Sequence, residues 1–108
     1  MIRLLYFSTA VADISPADVD AIVATSADNN ARSGITGALT FNGRNFCQCL
    51  EGEEADVRAL VATIEKDTRH AGMKVIDEKP ITERHFPDWS MIKVDGLNFV
   101  EVIDAMKA

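Results

Sequence analysis

The stretch NNARSGITGALTFNGRNFCQCLEG, residues Asn29–Gly52, decides the fold. It predicts a strand over Ile35–Phe41, a turn at Asn42-Gly43 and a second strand over Asn45–Glu51. Asn-Gly between two alternating segments is the strongest short-range signal of a β-hairpin, because both central residues of a type I′ turn need a positive φ.

The predicted hairpin register places Gly37 opposite Gln48, because a two-residue turn fixes the pairing of every later residue. Two apolar pairs then lie beside them on the same face: Leu39 with Phe46, and Ile35 with Leu50. Since glycine has no side chain, we expect space beside the Gln48 amide for a flat ligand that forms hydrogen bonds with it.

Length and composition limit the class of protein. A chain of 108 residues with 47% apolar residues is expected to form one domain with one core. The formal net charge is −6 and no basic cluster is visible, which argues against a direct nucleic-acid partner. Arg3 and Tyr6 interrupt the first apolar segment, so it is no signal peptide, and no apolar run approaches the roughly 20 residues of a membrane helix. We expect a cytoplasmic protein that contacts no membrane.

The two cysteines, Cys47 and Cys49, lie on the face of the predicted strand that is opposite Gln48. A zinc site would need a second cluster of ligands at a suitable spacing, and none is present. We predict two buried thiols in a reducing compartment and no metal site.

A helix is predicted to begin at Ser15. Serine is a favoured N-cap residue, Pro16 suits the first helical position, and Asp18 lies near the positive end of the helix dipole. We expect this helix to run to about Ala31 with one face towards the core. That face begins apolar and ends polar: Val19, Ile22, Val23, Ser26 and Asn30, with Asn29 at its border.

Two interpretations exist for the polar end of this face, Ser26, Asn29 and Asn30. Taken singly, these residues could be solvated or could cap the helix before Gly34, where asparagine is common. Together with Gln48, on a strand against which the helix must pack, they indicate a ligand.

The other predicted elements complete the fold. They are a first strand over Ile2–Ser8, a second helix from Glu53 to Asp67-Thr68-Arg69-His70, a fourth strand over Met73–Lys79, a fifth over Trp89–Val94, and a short helix in the tail Gly96–Ala108. The order β-α-β-β-α-β-β-α, with right-handed crossovers, predicts an α/β fold of the α+β type: a ferredoxin-like sheet of five strands. Two helices would cover one face and the tail helix the other, with the first and third strands adjacent in the middle.

Tyr6 and Gln48 would be neighbours on the helix-facing side in this topology. A buried Tyr hydroxyl beside a buried Gln amide must find its hydrogen-bond partners locally. For His70 we favour a structural explanation: near a helix C-terminus, before the stop residue Gly72, a basic side chain favours the negative end of the dipole. No nucleophile or second ligand is spaced with His70 for catalysis.

Six short pieces of the chain form a recognisable pattern. They are Tyr6-Phe7-Ser8, Ser26 with Asn29-Asn30, Gly34-Ile35-Thr36-Gly37, Phe46-x-Gln48-x-Leu50-Glu51-Gly52, Asp67-x-Arg69-His70, and Phe86-x-x-Trp89-Ser90-Met91. Each piece is weak alone, but their order and spacing resemble the BLUF family, the blue-light sensors that use FAD. The match covers about residues 2–94.

The resemblance implies a non-covalent flavin, FAD or alternatively FMN, between the two helices. Asn30 would bond the polar edge of the flavin ring, Asn29 would help to hold it, and Gln48 would bridge Tyr6 and the flavin. The implied residues are Tyr6 and Gln48 for the photochemistry, Ser8, Ser26, Asn29, Asn30, Arg32, Gln48, Asp67, Arg69 and His70 for binding, and Trp89 and Met91 for the switch to output. Residues 1–95 would form the flavin-binding domain and residues 96–108 a helical tail.

The implied chemistry is coherent in physical terms. An excited flavin is a strong oxidant, and a buried phenol can donate an electron and a proton. An amide can donate from one end, accept at the other and exchange these ends, so rearrangement of Gln48 would give a reversible, red-shifted state. This chemistry needs no metal, nucleophile or general base, and the resemblance implies a sensor and not an enzyme.

Other classes of protein on the same fold stay open. A ferredoxin-like domain without photochemistry would use Asn29, Asn30 and Gln48 to bind a small metabolite, or would bind nothing. An acylphosphatase-like hydrolase would need an Arg in a phosphate-binding loop after the first strand, and Thr9–Ile14 contains no Arg, Lys or Gly. A flavin redox enzyme would need an open path for substrate.

Only a short helix follows the fifth strand, so we expect output through a separate protein effector or a homo-oligomer, unless the sequence is part of a longer chain.

Overall fold

The structure is a computed structural model that describes residues 1–11, 14–41, 43–66, 70–86, 92–94 and 100–107. For a few of these residues, including His70, only the backbone is described. Its elements are β1 (Ile2–Ala10), α1 (Pro16–Ser33), β2 (Thr36–Phe41), β3 (Asn45–Gly52), α2 (Glu54–Glu65), β4 (His70–Pro80), β5 (Ile92–Val94) and α3 (Val100–Asp104), which continues as a 3-10 turn, Ala105–Lys107.

The sheet has the strand order β4-β1-β3-β2-β5. β1 is antiparallel to both β3 and β4, β2 is antiparallel to β3, and β5 is parallel to β2. Each of the two long helices connects strands that have one other strand between them, so the predicted ferredoxin-like class is confirmed.

Both long helices pack on one face of the sheet. The core beneath them consists of Ile2, Leu4, Tyr6, Val19, Ile22, Ile35, Leu39, Phe46, Leu50, Val57 and Val61. α3 packs on the other face, where Val102 and Met106 contact the cluster that contains Leu5. The tail helix therefore covers the face for which the sequence predicted it.

The β2–β3 register differs from the predicted one by two residues. Leu39 pairs with Gln48, and Gly37 pairs with Leu50. The pairing nearest the turn joins Phe41 to Phe46, so four residues, 42–45, separate the paired positions instead of the predicted two. The backbone carbonyl of Arg44 accepts a hydrogen bond from the N–H of Ala10 in β1, at 2.7 Å. A shift by two residues leaves every side chain on its face, so Gln48 still faces the helices.

The interpretation of Gly37 was consequently wrong. A Cβ atom at Gly37 would lie 2.0 Å from the backbone oxygen of Cys49, which a side chain cannot do. Glycine is required there because the backbones of β2 and β3 approach closely, and it does not open space beside Gln48.

The beginning of α1 is as predicted. The side chain of Ser15 accepts a hydrogen bond from the Asp18 N–H at 3.1 Å, and the Asp18 carboxylate accepts one from the Ser15 N–H at 3.0 Å. This reciprocal capping box fixes the first turn, with Pro16 as the first helical residue. The helix runs two residues further than predicted, to Ser33, and ends at Gly34, whose φ of +67° closes the last turn.

His70 lies elsewhere than predicted. α2 ends at Glu65, and His70 is the first residue of β4, so the interpretation of His70 as a partner of the helix dipole was wrong. Gly72 is not a helix stop either: it has a φ of +59° within β4, where the pairing with β1 shifts register between Phe7 and Thr9. A glycine of positive φ accommodates the extra residue of such a bulge.

Both cysteines are buried free thiols on the face away from Gln48, as predicted. Burial raises the pKa of Cys47 to about 12. The pKa of Cys49 is also raised to about 12, mainly by burial and to a smaller extent by the nearby Glu51 carboxylate. Within the described residues, no helix is long and apolar enough to cross a membrane, and no group of three or more possible metal ligands is found.

Candidate functional site

Tyr6 and Gln48 form a buried pair at the centre of the sheet. They are direct partners of β1 and β3, and the Tyr6 hydroxyl donates a hydrogen bond to the Gln48 side-chain oxygen Oε1. Only 1% of Tyr6 and 2% of Gln48 is exposed. Both side chains point towards the helices, so the structure brings together the two residues that topology predicted as neighbours.

Asn30 is the buried polar residue of α1, with 1% exposure. Its backbone carbonyl accepts a hydrogen bond from the N–H of Ile35 at 2.9 Å, which fixes the end of the helix directly before β2. Its side-chain oxygen Oδ1 is buried and accepts no hydrogen bond from the residues that the structure describes. Asn30 thus presents a carboxamide on the same buried helix face as Val19 and Ile22.

The other candidate residues on α1 are more exposed than Asn30. Ser26 is half-buried and Asn29 is exposed. Arg32 forms an ion pair with Asp28 at 2.9 Å, and about three quarters of the Arg32 side chain is exposed. These residues therefore lie on the surface beside the buried site.

Ser8 is a buried residue of β1, paired with Phe46. Alternation along the strand puts Ser8 on the same face as Tyr6. His70 pairs with Ala10 at the beginning of β4. Four further candidates lie outside the described residues: Asp67, Arg69, Trp89 and Met91.

Sequence reasoning missed a second polar cluster, on the opposite face of the sheet. Arg3 and Glu51 are direct partners of β1 and β3, and their side chains form a buried ion pair at 2.9 Å. Arg84 donates hydrogen bonds to the Thr36 side chain and to the backbone of Gly34 and Glu51. The available signal was opposite charge at positions that the predicted pairing of the first and third strands brings together.

The helix-facing arrangement is suited to proton and hydrogen-bond exchange and not to nucleophilic catalysis. A phenol donates to one end of an amide, and that amide can present either its oxygen or its N–H₂ group to a neighbour. A second buried amide, that of Asn30, lies on α1. In this buried environment each hydrogen bond has a stronger influence on its partner than it would have in water.

Comparison with known proteins identifies the family. The family model for BLUF, sensors of blue-light using FAD, matches residues 1–92. Photoactivated adenylate cyclase subunit beta of Euglena longa is 35% identical over 89 residues, which are 82% of this chain and 10% of that protein. The chain thus spans a small part of the curated relatives it matches.

Solved structures agree with this assignment. The dark-state structure of the BLUF protein BlrB has a TM-score of 0.85 and 37% identity, covering 93% of this chain and 76% of that one. Klebsiella pneumoniae BlrP1, in a structure with FMN and cyclic diGMP, has a TM-score of 0.81 and 35% identity, covering 87% of this chain and 25% of that one. The chain therefore belongs to the BLUF family, as a flavin-binding blue-light sensor module.

Proposed function

We propose that this domain senses blue light through FAD held between α1 and α2, with Tyr6 and Gln48 as its photochemical residues. The observation that carries the proposal is the buried hydrogen bond from Tyr6 to Gln48, on the face that both helices cover. Asn30 is buried at the C-terminal part of α1 above that face.

The residues on this face fit a flavin ring. The polar edge of the ring carries alternating acceptors and a donor, and the amides of Gln48 and Asn30 offer both kinds of group. Val19 and Ile22 supply apolar surface from the helix. Apolar walls with a few converging polar groups are typical of cofactor sites.

The phosphate and ribityl groups would lie where α1 becomes exposed. Arg32 can exchange its ion pair with Asp28 for a phosphate, because an exposed ion pair contributes little stability. We assign the remaining binding contacts to Ser8, Ser26, Asn29, Asp67, Arg69 and His70. The family description favours FAD, whereas the BlrP1 structure shows that a neighbour holds FMN.

Tyr6 holds a transferable proton at its hydroxyl oxygen, and Gln48 Oε1 accepts it in a hydrogen bond. The bound flavin supplies the absorption of blue light and a strongly oxidising excited state. Rotation or tautomerisation of the Gln48 amide would exchange the donor and acceptor ends that it presents. Burial excludes water from both side chains, so solvent cannot supply competing hydrogen bonds, and the new arrangement can persist until the dark reversal.

Output would pass to a separate effector or a second copy of the chain, and we expect no direct contact with nucleic acid or membrane. Trp89 and Met91 precede β5, which pairs with β2 beside β3, and they are our candidates for the switch residues. We propose that residues 1–95 form the flavin-binding domain and residues 96–108 a helical tail, and the family match over residues 1–92 supports the first part of this division. We also propose a cytoplasmic location, because a reducing compartment suits the two buried free thiols, Cys47 and Cys49.

An absorption spectrum tests this proposal. The purified chain, or the chain reconstituted with FAD, should be yellow, release its flavin on acid or heat treatment, and shift its absorption slightly to the red under blue light, reversibly in the dark. A protein that stays colourless after reconstitution would contradict the proposal. A bound flavin without a light-induced shift would contradict the photochemical part.

A further inference from the structure

Glu51 connects the segment of residues 81–86 to the sheet through hydrogen bonds. The Glu51 carboxylate is fully buried and accepts hydrogen bonds from Arg3 Nε at 2.9 Å, from the His85 N–H at 2.8 Å and from the Phe86 N–H at 2.7 Å. Three hydrogen-bond donors to one carboxylate stabilise its negative charge at this buried position, from which water is excluded. The segment is therefore held to β3 by its backbone.

Arg84 joins the same segment to two further elements. Its guanidinium donates to the Gly34 carbonyl at 2.6 Å, the Thr36 side-chain oxygen at 2.8 Å and the Glu51 carbonyl at 3.0 Å. Gly34 is the C-cap of α1, Thr36 begins β2, and Glu51 lies near the end of β3. One side chain thus connects the end of the helix that carries Asn30 with the strand that carries Gln48.

The segment also contacts the tail. Phe86 is buried in the cluster on the second face, together with Val102 and Met106. A continuous set of contacts therefore runs from Gln48, three residues along β3 to Glu51, then through residues 81–86 to α3.

We propose that Glu51 and Arg84 are positioning residues that form a latch, which transmits changes at Tyr6, Gln48 and Asn30 to residues 81–86 and α3. This inference rests on the proposed function, because light must first change the site. The latch has two physical arrangements: closed, with segment 81–86 hydrogen-bonded to Glu51, and open, with those backbone N–H groups released. A small displacement of β3 or of the end of α1 lengthens several of these directional bonds together, which favours the open arrangement.

Hydrogen exchange in the dark and under blue light tests the latch in the flavin-loaded chain. In the wild type, light should speed exchange in the peptides that contain His85 and Phe86. In Arg84→Gln, dark exchange there should be about fivefold faster and the light–dark difference should be lost, whereas the light-induced flavin shift stays. Arg58→Gln is the matched control, because Arg58 pairs with Glu54 and Glu78 on the other side of the sheet and should leave the difference unchanged.

Two further variants, Thr36→Val and Arg84→Lys, distinguish a specific loss of the latch from a general folding defect in Arg84→Gln. Thr36→Val removes one acceptor with little change in volume and should reduce the light–dark difference in part. Arg84→Lys restores the charge and some donors and should recover part of it, which simple loss of structure would not produce.

Two results would overturn the latch. One is an Arg84→Gln chain whose light–dark difference over residues 81–86 equals that of the wild type. The other is a wild type with a normal flavin shift and no light-induced exchange change in this segment. A wild type without any flavin shift would overturn the proposed function itself, and the latch with it.

Discussion

Arg3 and Glu51 are direct partners of β1 and β3, and Tyr6 pairs with Gln48 three residues after Arg3 in β1 and three residues before Glu51 in β3. The two pairs point to opposite faces, because three residues along a strand reverse the side-chain direction. The same two central strands thus carry a buried ion pair on one face and the proposed photochemical pair on the other. Movement of either strand must affect both faces.

Arg3→Met should destabilise the fold by about 3 kcal/mol, because Arg3 is the cation that pairs with the buried Glu51 carboxylate. Without Arg3, this buried negative charge has no ion pair among the described residues. Chemical denaturation would measure the change. Arg58→Met is the control, since the Arg58 ion pairs are exposed, and it should hardly move the midpoint. Equal effects of the two substitutions would show that the buried pair has no special importance.

Gly37→Ala should destabilise the domain by about 3 kcal/mol or more, because its Cβ would meet the Cys49 carbonyl oxygen at 2.0 Å and force β2 and β3 apart. Gly52→Ala is a matched control: its nearest contact would be Ile35 Cγ1 at 3.2 Å, which calls for a much smaller adjustment than the contact of 2.0 Å at Gly37. Thermal unfolding of both variants measures the difference. Comparable melting temperatures would argue against the close approach at Gly37.

High pH should destabilise the protein through its buried thiols. The pKa values of Cys47 and Cys49 rise from 9.0 to about 12 in the folded chain, so between these limits the thiols ionise in the unfolded state and remain protonated in the folded state. Stability from the thiols is therefore full below pH 9 and decreases as pH rises towards 12. The double variant Cys47→Ala, Cys49→Ala should show a smaller decrease in unfolding free energy between pH 8 and 10.5, and an unchanged slope would refute this explanation.

Asn30→Ala should weaken flavin binding roughly fivefold, the effect of one lost hydrogen bond, or yield apoprotein if a buried flavin group is left without a partner. Flavin titration of the apoprotein measures it. Asn29→Ala, which changes the exposed neighbour of Asn30, should have a smaller effect. Unchanged occupancy and spectrum in Asn30→Ala would return Asn30 to a role in ending the helix.

Local signals predicted the parts of the fold that depend on neighbouring residues. The N-cap Ser15, with Pro16 and Asp18 directly after it, has its hydrogen-bond partner within one turn, so the beginning of α1 could be predicted from the sequence, whereas the helix ends two residues beyond the predicted residue. Element order alone was enough to place Tyr6 beside Gln48.

Features that depend on contacts between distant residues could not be predicted in the same way. The hairpin register differs by two residues from the one that a two-residue turn would set, and Arg44 bonds to Ala10 of another strand, a contact that the local sequence does not show. Gly72 signals a positive φ, but the sequence does not reveal whether that φ ends a helix or accommodates a bulge. The ion pair of Arg3 and Glu51 becomes evident once β1 and β3 are placed side by side.

The central claim is that light acts through the proton of Tyr6 and the amide of Gln48, and light-minus-dark absorption spectra of Tyr6→Phe test it most directly. Phenylalanine keeps the ring in the core and removes only the hydroxyl, so the variant should bind flavin and lose the reversible red shift. Gln48→Leu, which lacks an amide, should lose it as well. A red shift of normal size and dark recovery in Tyr6→Phe would contradict the account.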